Sequence, residues 1–244
     1  MIPEAVRALE RDLRGIFGSR LQSLAIYGAR ATAHDGRHAH DAHGHGAAAP
    51  TRTLAVVESM TRDDLRAAAT RVDAWHDAGL ATPLLLAARE FSRSLDAFPL
   101  EFGAILADHV VVSGANPFAA SRLEPADVRR ACEVQARSHL LHLREAYLET
   151  HGRADALSDL IVQSAPAFAA LLRSVARLEG HSSEDGAAAR HAERTLGVPG
   201  GAITAIVELT GDHELPSADA ERLFGPYLDA VEKLVSYVDG WNVR

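Results

Sequence analysis

The pattern that most constrains this chain is a change of hydrophobic period about halfway along it. Between residues 154 and 179, Leu157, Leu160, Ile161, Phe168, Leu171, Leu172, Val175 and Leu178 recur at the three-and-four spacing of a buried helix face. Before residue 118 the apolar residues gather instead into four short runs, at 22–28, 53–58, 83–88 and 109–113, with helical stretches between them. Strands alternating with helices favour a sheet that is at least partly parallel. The expected fold class is therefore α+β: a small mixed-sheet α/β domain over residues 1–120, then an α-helical bundle over 121–244. At 244 residues the chain is long enough to give each part its own core.

Local signals refine this outline. Val6, Leu9, Leu13, Ile16 and Phe17 mark an N-terminal amphipathic helix. Thr61, followed by Asp63 and Asp64, reads as a helix cap with an acidic first turn. Leu65, Ala68, Ala69, Val72 and Trp75 then form the apolar face of that helix. Pro99 should break the helical stretch 89–108 near Phe98, and Gly114 to Pro117 is a turn. Residues 125–150 carry a stripe of Val128, Val134, Leu141 and Leu148, with Leu140 and Tyr147 beside it. Pro166 should bend the next helix. Ser217 is expected to cap the last one, whose face is Leu223, Tyr227, Val231, Leu234 and Val238. About five helices result.

Charge and cysteine usage exclude some partners. The formal net charge is −8 and Lys233 is the only lysine, so the chain lacks the basic footprint of a nucleic-acid binder. No apolar run approaches the length that a membrane span requires. The lone Cys132, in a helical stretch, reads as a buried structural thiol of a reducing compartment. The expectation is a cytoplasmic protein with no nucleic-acid and no membrane partner.

Two features near the N-terminus carry candidate chemistry. Residues 24–30 run from an apolar strand into a glycine turn, Gly28-Ala29-Arg30. Amides at such a turn can cradle phosphate oxygens, and Arg30 adds charge; the bland alternative is a strand end beside a solvated arginine. Between this turn and the second strand lies a loop, residues 32–50, that holds five of the thirteen histidines. His38, His40, His43 and His45, with His34, Asp35 and Asp41, supply imidazoles suited to zinc or nickel. The loop is also rich in alanine and glycine, which fits a mobile insertion with no dedicated site.

The strand, glycine turn and second strand resemble the core of the nucleotidyltransferase superfamily, which includes the aminoglycoside nucleotidyltransferases. The likeness extends through residues 83–102, 111–118 and 231–239, and is closest to a group of bacterial nucleotidyltransferase-like proteins. It implies a nucleotidyltransferase-type α/β domain followed by a helical bundle. In that family the turn reads Gly-Ser, and an Asp-x-Asp pair opening the next strand holds magnesium. Here the turn is Gly28-Ala29 and the carboxylate positions fall on Thr51 and Thr53. Glu90 is a poor fit for a third carboxylate. Magnesium prefers anionic oxygen ligands, which threonine does not offer. The expected loss is several kcal/mol of transition-state stabilisation, which is many orders of magnitude in rate.

The resemblance thus implies a nucleotidyltransferase homologue without transferase activity, a pseudoenzyme that binds a nucleotide or a protein partner. Its nucleotide-binding residues would be Gly28, Ala29, Arg30, Thr51 and Thr53, with no catalytic residue assigned and no magnesium-nucleotide expected. Two rival readings stand beside it. One is a divergent active transferase whose metal is held by loop carboxylates or histidines. The other is a transition-metal protein binding zinc or nickel through His38, His40, His43 and His45. Elsewhere, Arg130, Arg137 and Arg144 recur every seven residues and read as a solvated face paired with glutamates. His139 and His142 read as surface or boundary residues, and Trp75 and Trp241 as packing anchors.

Overall fold

The computed structural model describes residues 2–28, 50–198, 201–210 and 214–241. The chain divides into two compact units, Met1–Leu123 and Glu124–Arg244.

The first unit is built on a four-stranded mixed sheet. Its strands are β1 (Leu21–Tyr27), β2 (Arg52–Val57), β3 (Leu84–Ala87) and β4 (His109–Gly114), in the spatial order β3-β2-β1-β4. They are the four runs expected from sequence, and no end moves by more than one residue. β1 pairs antiparallel with both β2 and β4, whereas β2 pairs parallel with β3. Six helices flank or connect these strands among the described residues. One is a single 3-10 turn at Gly18–Arg20; the others are α1 (Glu4–Phe17), α2 (Arg62–Ala69), α3 (Val72–Asp77), α4 (Ala88–Ala97) and α5 (Pro99–Ala107).

Alternation along β2 assigns each side of the sheet to a separate core. Ala55 and Val57 pack with Val6, Leu9, Leu13 and Phe17 of α1 and with Trp75 of α3. Leu54 and Val56 pack on the opposite face against Phe91, Phe102, Ile105 and Phe118, where Phe91 meets Phe102 and Phe118 edge to face. Along β1, Leu21, Leu24 and Ile26 all belong to the α1 side. The break in alternation follows from a register shift between Leu21 and Ser23.

Helix ends in this unit follow their side chains. Thr61 and Asp64 form a reciprocal capping box at α2. The Asp64 carboxylate also accepts two 2.7 Å bonds from Arg20, which hold it well below the usual carboxylate range. The helix expected over 61–78 is two helices, and Leu65 is exposed, not part of the apolar face. Phe98 leaves helical geometry at φ −129° and ψ 58°, and Pro99 starts α5, whose first turn needs no amide there. Trp75 is buried and its indole donates to Asp12 at 2.9 Å.

The second unit has five helices among the described residues: α6 (Pro125–Glu149), α7 (Ala154–Leu178), α8 (Asp185–Leu196), α9 (Ala202–Glu208) and α10 (Ser217–Gly240). By length and composition alone α7 passes as a membrane span, which the sequence reading did not anticipate. Its Leu157, Ile161, Phe168, Leu171, Leu172 and Val175 are buried, and it packs against α6, α8, α9 and α10 as the central helix of the bundle. Ser217 is the first helical residue of α10 and makes no side-chain cap; Pro216 takes the capping position.

The face of α6 differs from its expected stripe. Val134, Leu141 and Leu148 are 64%, 63% and 73% exposed, while Cys132, Ala136, His139 and Leu143 are buried. Small side chains at 132 and 136 let neighbouring helices approach closely, so the buried face is not the one with the largest residues. Burial lifts the Cys132 thiol to about 12, which leaves it unreactive.

Candidate functional site

Strand register brings the residues singled out by sequence to one end of the sheet. Tyr27, the last residue of β1, pairs with Arg52 at the start of β2 and with His109 at the start of β4. Gly28 follows directly with φ +85°, a left-handed geometry that favours glycine. Its amide donates to the Asp108 carbonyl at 3.1 Å. Thr51 lies one residue before β2 and bridges in parallel to Leu80. Its amide donates to the Gly79 carbonyl and its own carbonyl accepts from Ala81, both at 2.9 Å. Gly28, Thr51 and Thr53 are therefore neighbours through the backbone.

Both threonines are buried. Thr53 is 1% exposed and shares the α1-facing side of β2 with Ala55 and Val57. Its Oγ1 has no hydrogen-bond partner among the described residues. A neutral hydroxyl in such a position can accept or donate one weak bond. It cannot neutralise the charge that builds on a transferring phosphoryl group.

Asp108 is the carboxylate residue tied by its backbone to the Gly28 turn. The sequence reading passed over it; its signal was a lone aspartate immediately before an apolar strand. Burial raises its pKa, opposed by the neighbouring His109, and it makes no ion pair among the described residues. His109 closes the preceding helix, its Nδ1 donating to the Ile105 and Leu106 carbonyls at 3.1 and 3.2 Å. Glu90 belongs to the far end of the sheet. Its carboxylate accepts from the Ala87 amide at 3.1 Å, and Ala87 pairs with Val57. Four residues of strand separate Val57 from Thr53, roughly 13 Å, so Glu90 cannot complete a metal site with that end.

The remaining sequence candidates are placed as follows. Ala29 and Arg30 lie outside the described residues. So do His38, His40, His43 and His45, together with Asp35 and Asp41. Arg137 pairs with Glu133 and Asp239, Arg144 with Glu232, and Arg130 with Asp127 at 3.7 Å. This is an ion-paired face. His142 is exposed, as expected, but His139 is buried and bonded to Tyr227 at 2.8 Å. Its reading as a surface or boundary residue is corrected: α6 turns His139 onto the same face as Cys132 and Ala136.

No protein-family model matches the sequence, and no curated protein matches it. Among solved structures the chain is similar to the spectinomycin adenyltransferase of Enterococcus faecialis, determined with ATP and spectinomycin. The likeness covers 95% of this chain and 98% of that one, with a TM-score of 0.55 and 11% sequence identity. At that identity the likeness is one of fold, a mixed-sheet α/β unit and a set of helices.

Proposed function

We propose that the protein is a nucleotidyltransferase-like module that has lost transfer chemistry and binds a nucleotide without turning it over. The observation that carries this reading is the pair Thr51 and Thr53, neutral and buried where β2 begins beside the Gly28 turn. In-line nucleotidyl transfer depends on metal ions held by anionic oxygens on both sides of the phosphorus. Two hydroxyls do not supply that charge. Phosphate binding has a smaller requirement, which a glycine followed in sequence by an arginine, Gly28-Ala29-Arg30, can meet; the Gly28 amide is already bonded to the Asp108 carbonyl, so the proposed phosphate contacts belong to the residues that follow it. The solved structure of similar fold contains ATP, which supports a nucleotide as the ligand class.

Titration calorimetry of the full chain with ATP, with and without magnesium, tests the binding half. Heat release that changes little when magnesium is omitted is the expected result, because Thr51 and Thr53 stand where the family's carboxylate pair would couple the metal to the nucleotide. Absence of heat in both conditions would remove the nucleotide and leave the scaffold as a protein-interaction module. Incubation with labelled ATP, magnesium and spectinomycin tests the other half. Magnesium-dependent formation of an adenylylated product would overturn the loss of chemistry.

A further inference from the structure

The helical unit contains a group of metal-ligating side chains that lies apart from the Gly28 turn in sequence and belongs to the other compact unit. α7 ends at Leu178, Glu179 takes the capping position and Gly180 adopts φ +73°. That left-handed residue turns the chain back, so the His181 amide donates to the Ala176 carbonyl at 2.8 Å. The turn carries the His181 ring against the His191 ring of α8, with centroids 4.0 Å apart and planes tilted by 40°. His191 Nε2 in turn lies 2.6 Å from a Glu179 oxygen. One ligand atom from each of Glu179, His181 and His191 falls within 4.8 Å of the other two.

A hydrogen-bonded pair of His191 and Glu179 would explain part of this arrangement. It leaves unexplained why the His181 ring comes within 4.0 Å of the His191 ring at a tilt of 40°, since two imidazoles repel when both are charged. The Glu179 side chain is 11% exposed, and among the described residues no arginine or lysine pairs with it. The Tyr237 hydroxyl from α10 donates to its other oxygen. This is the usual support for a ligating carboxylate: a neutral donor that fixes its orientation without competing for charge.

We propose that Glu179, His181 and His191 form a binding site for one divalent transition metal of the zinc class. Two imidazoles and a carboxylate suit zinc, nickel or cobalt better than magnesium or calcium. Metal–nitrogen and metal–oxygen distances of about 2.0–2.2 Å put tetrahedral ligands roughly 3.4 Å apart. The His191–Glu179 separation must therefore open by less than about 1 Å, with the metal taking the place of the shared proton. His181 is exposed, so water can fill the fourth position. The bound ion would tie the 180–184 turn to both α7 and α8.

The test uses full-length protein in which His34, His38, His40, His43 and His45 are all replaced by alanine, so that the N-terminal loop contributes no ligand. After dialysis against zinc, one equivalent should remain bound, and cobalt should give the visible absorption of a four- or five-coordinate site. His181→Ala, at an exposed position, should weaken zinc affinity at least about tenfold while leaving metal-free thermal stability unchanged. Tyr237→Phe should weaken it by roughly tenfold through the carboxylate alone. Failure of the loop-stripped protein to retain zinc would overturn the proposal. Retention that His181→Ala leaves unchanged would overturn it equally, as the signature of adventitious binding elsewhere.

Discussion

His139 Nε2 lies 2.8 Å from the Tyr227 hydroxyl inside the helical unit, and this contact is the first link of a directed chain. Ser164 donates to the Ile161 carbonyl, so it must accept from Tyr227, which must then accept from the histidine. The neutral Nε2–H tautomer is the one that satisfies every member. The ring also stacks on Phe168, with centroids 5.6 Å apart. Burial first, and the positive charge of His142 second, lower the His139 pKa from 6.5 to about 4.

The first prediction follows from that shift. Between pH 6.5 and 4 the unfolded chain takes up a proton that folded His139 refuses, so stability rises with pH across this window. The contribution is complete above pH 6.5 and falls by about 3 kcal/mol as pH drops to 4. Urea denaturation of wild type and His139→Leu at pH 7 and pH 4.5 measures it. The variant should lose less stability between the two pH values than wild type. Equal losses would mean that His139 is protonated in the fold.

Tyr227→Phe removes the middle of the chain and leaves the His139 N–H and one Ser164 lone pair without their partner. Each buried polar group stranded in this way costs about 1–3 kcal/mol. The variant should therefore unfold at a lower urea concentration with an unchanged denaturant slope. A change in slope would point to an altered denatured or native state rather than a lost hydrogen bond.

The strands were legible because four short apolar runs sat between strong punctuation, such as Pro99 and the Gly114–Pro117 turn. The central helix was legible because its buried Leu157, Ile161, Phe168, Leu171, Leu172 and Val175 keep to one helical face on both sides of Pro166. Two kinds of feature were not. The buried face of α6 uses Ala136 and His139 beside Cys132, of which only the cysteine reads as buried from sequence, whereas Val134, Leu141 and Leu148 advertise a face that stays in solvent. The second kind depends on tertiary meetings. Nothing in the spacing of Glu179, His181 and His191 says that the Gly180 turn brings one histidine ring against the other. Asp108 became visible only when register put it beside Gly28. The Gly28 turn and the two threonines could be named from sequence because the family resemblance rests on a short local stretch.

Gly114 provides a prediction about the sheet edge. It closes β4 at φ +79°, and a Cβ built there would sit 1.9 Å from the Gln22 carbonyl oxygen of β1. Both the backbone geometry and the close approach exclude a side chain. Gly114→Ala should lower stability by more than about 2 kcal/mol, read as a shifted thermal midpoint. The obstruction is backbone from a neighbouring strand and cannot rotate away. A near-neutral Ala variant would mean that β1 and β4 separate freely at this end.

The last prediction separates a core role for Thr53 from a ligand role. Its hydroxyl is buried at 1% exposure and unpartnered among the described residues. Thr53→Val keeps the branched shape and removes the hydroxyl, so it should raise stability by about 1 kcal/mol. ATP affinity should be unchanged, because the proposed contacts come from the Gly28 turn. Thr53→Asp restores the family's carboxylate but places it on the face shared with Ala55 and Val57. A carboxylate in that buried position should cost at least about 3 kcal/mol and restore no magnesium-dependent turnover. Chemical denaturation of the two variants beside wild type is the measurement. An aspartate at 53 that folds with wild-type stability and binds magnesium would show that this end of the sheet is open to metal. The loss of chemistry would then rest on the missing carboxylates alone and not also on the way the threonines are buried.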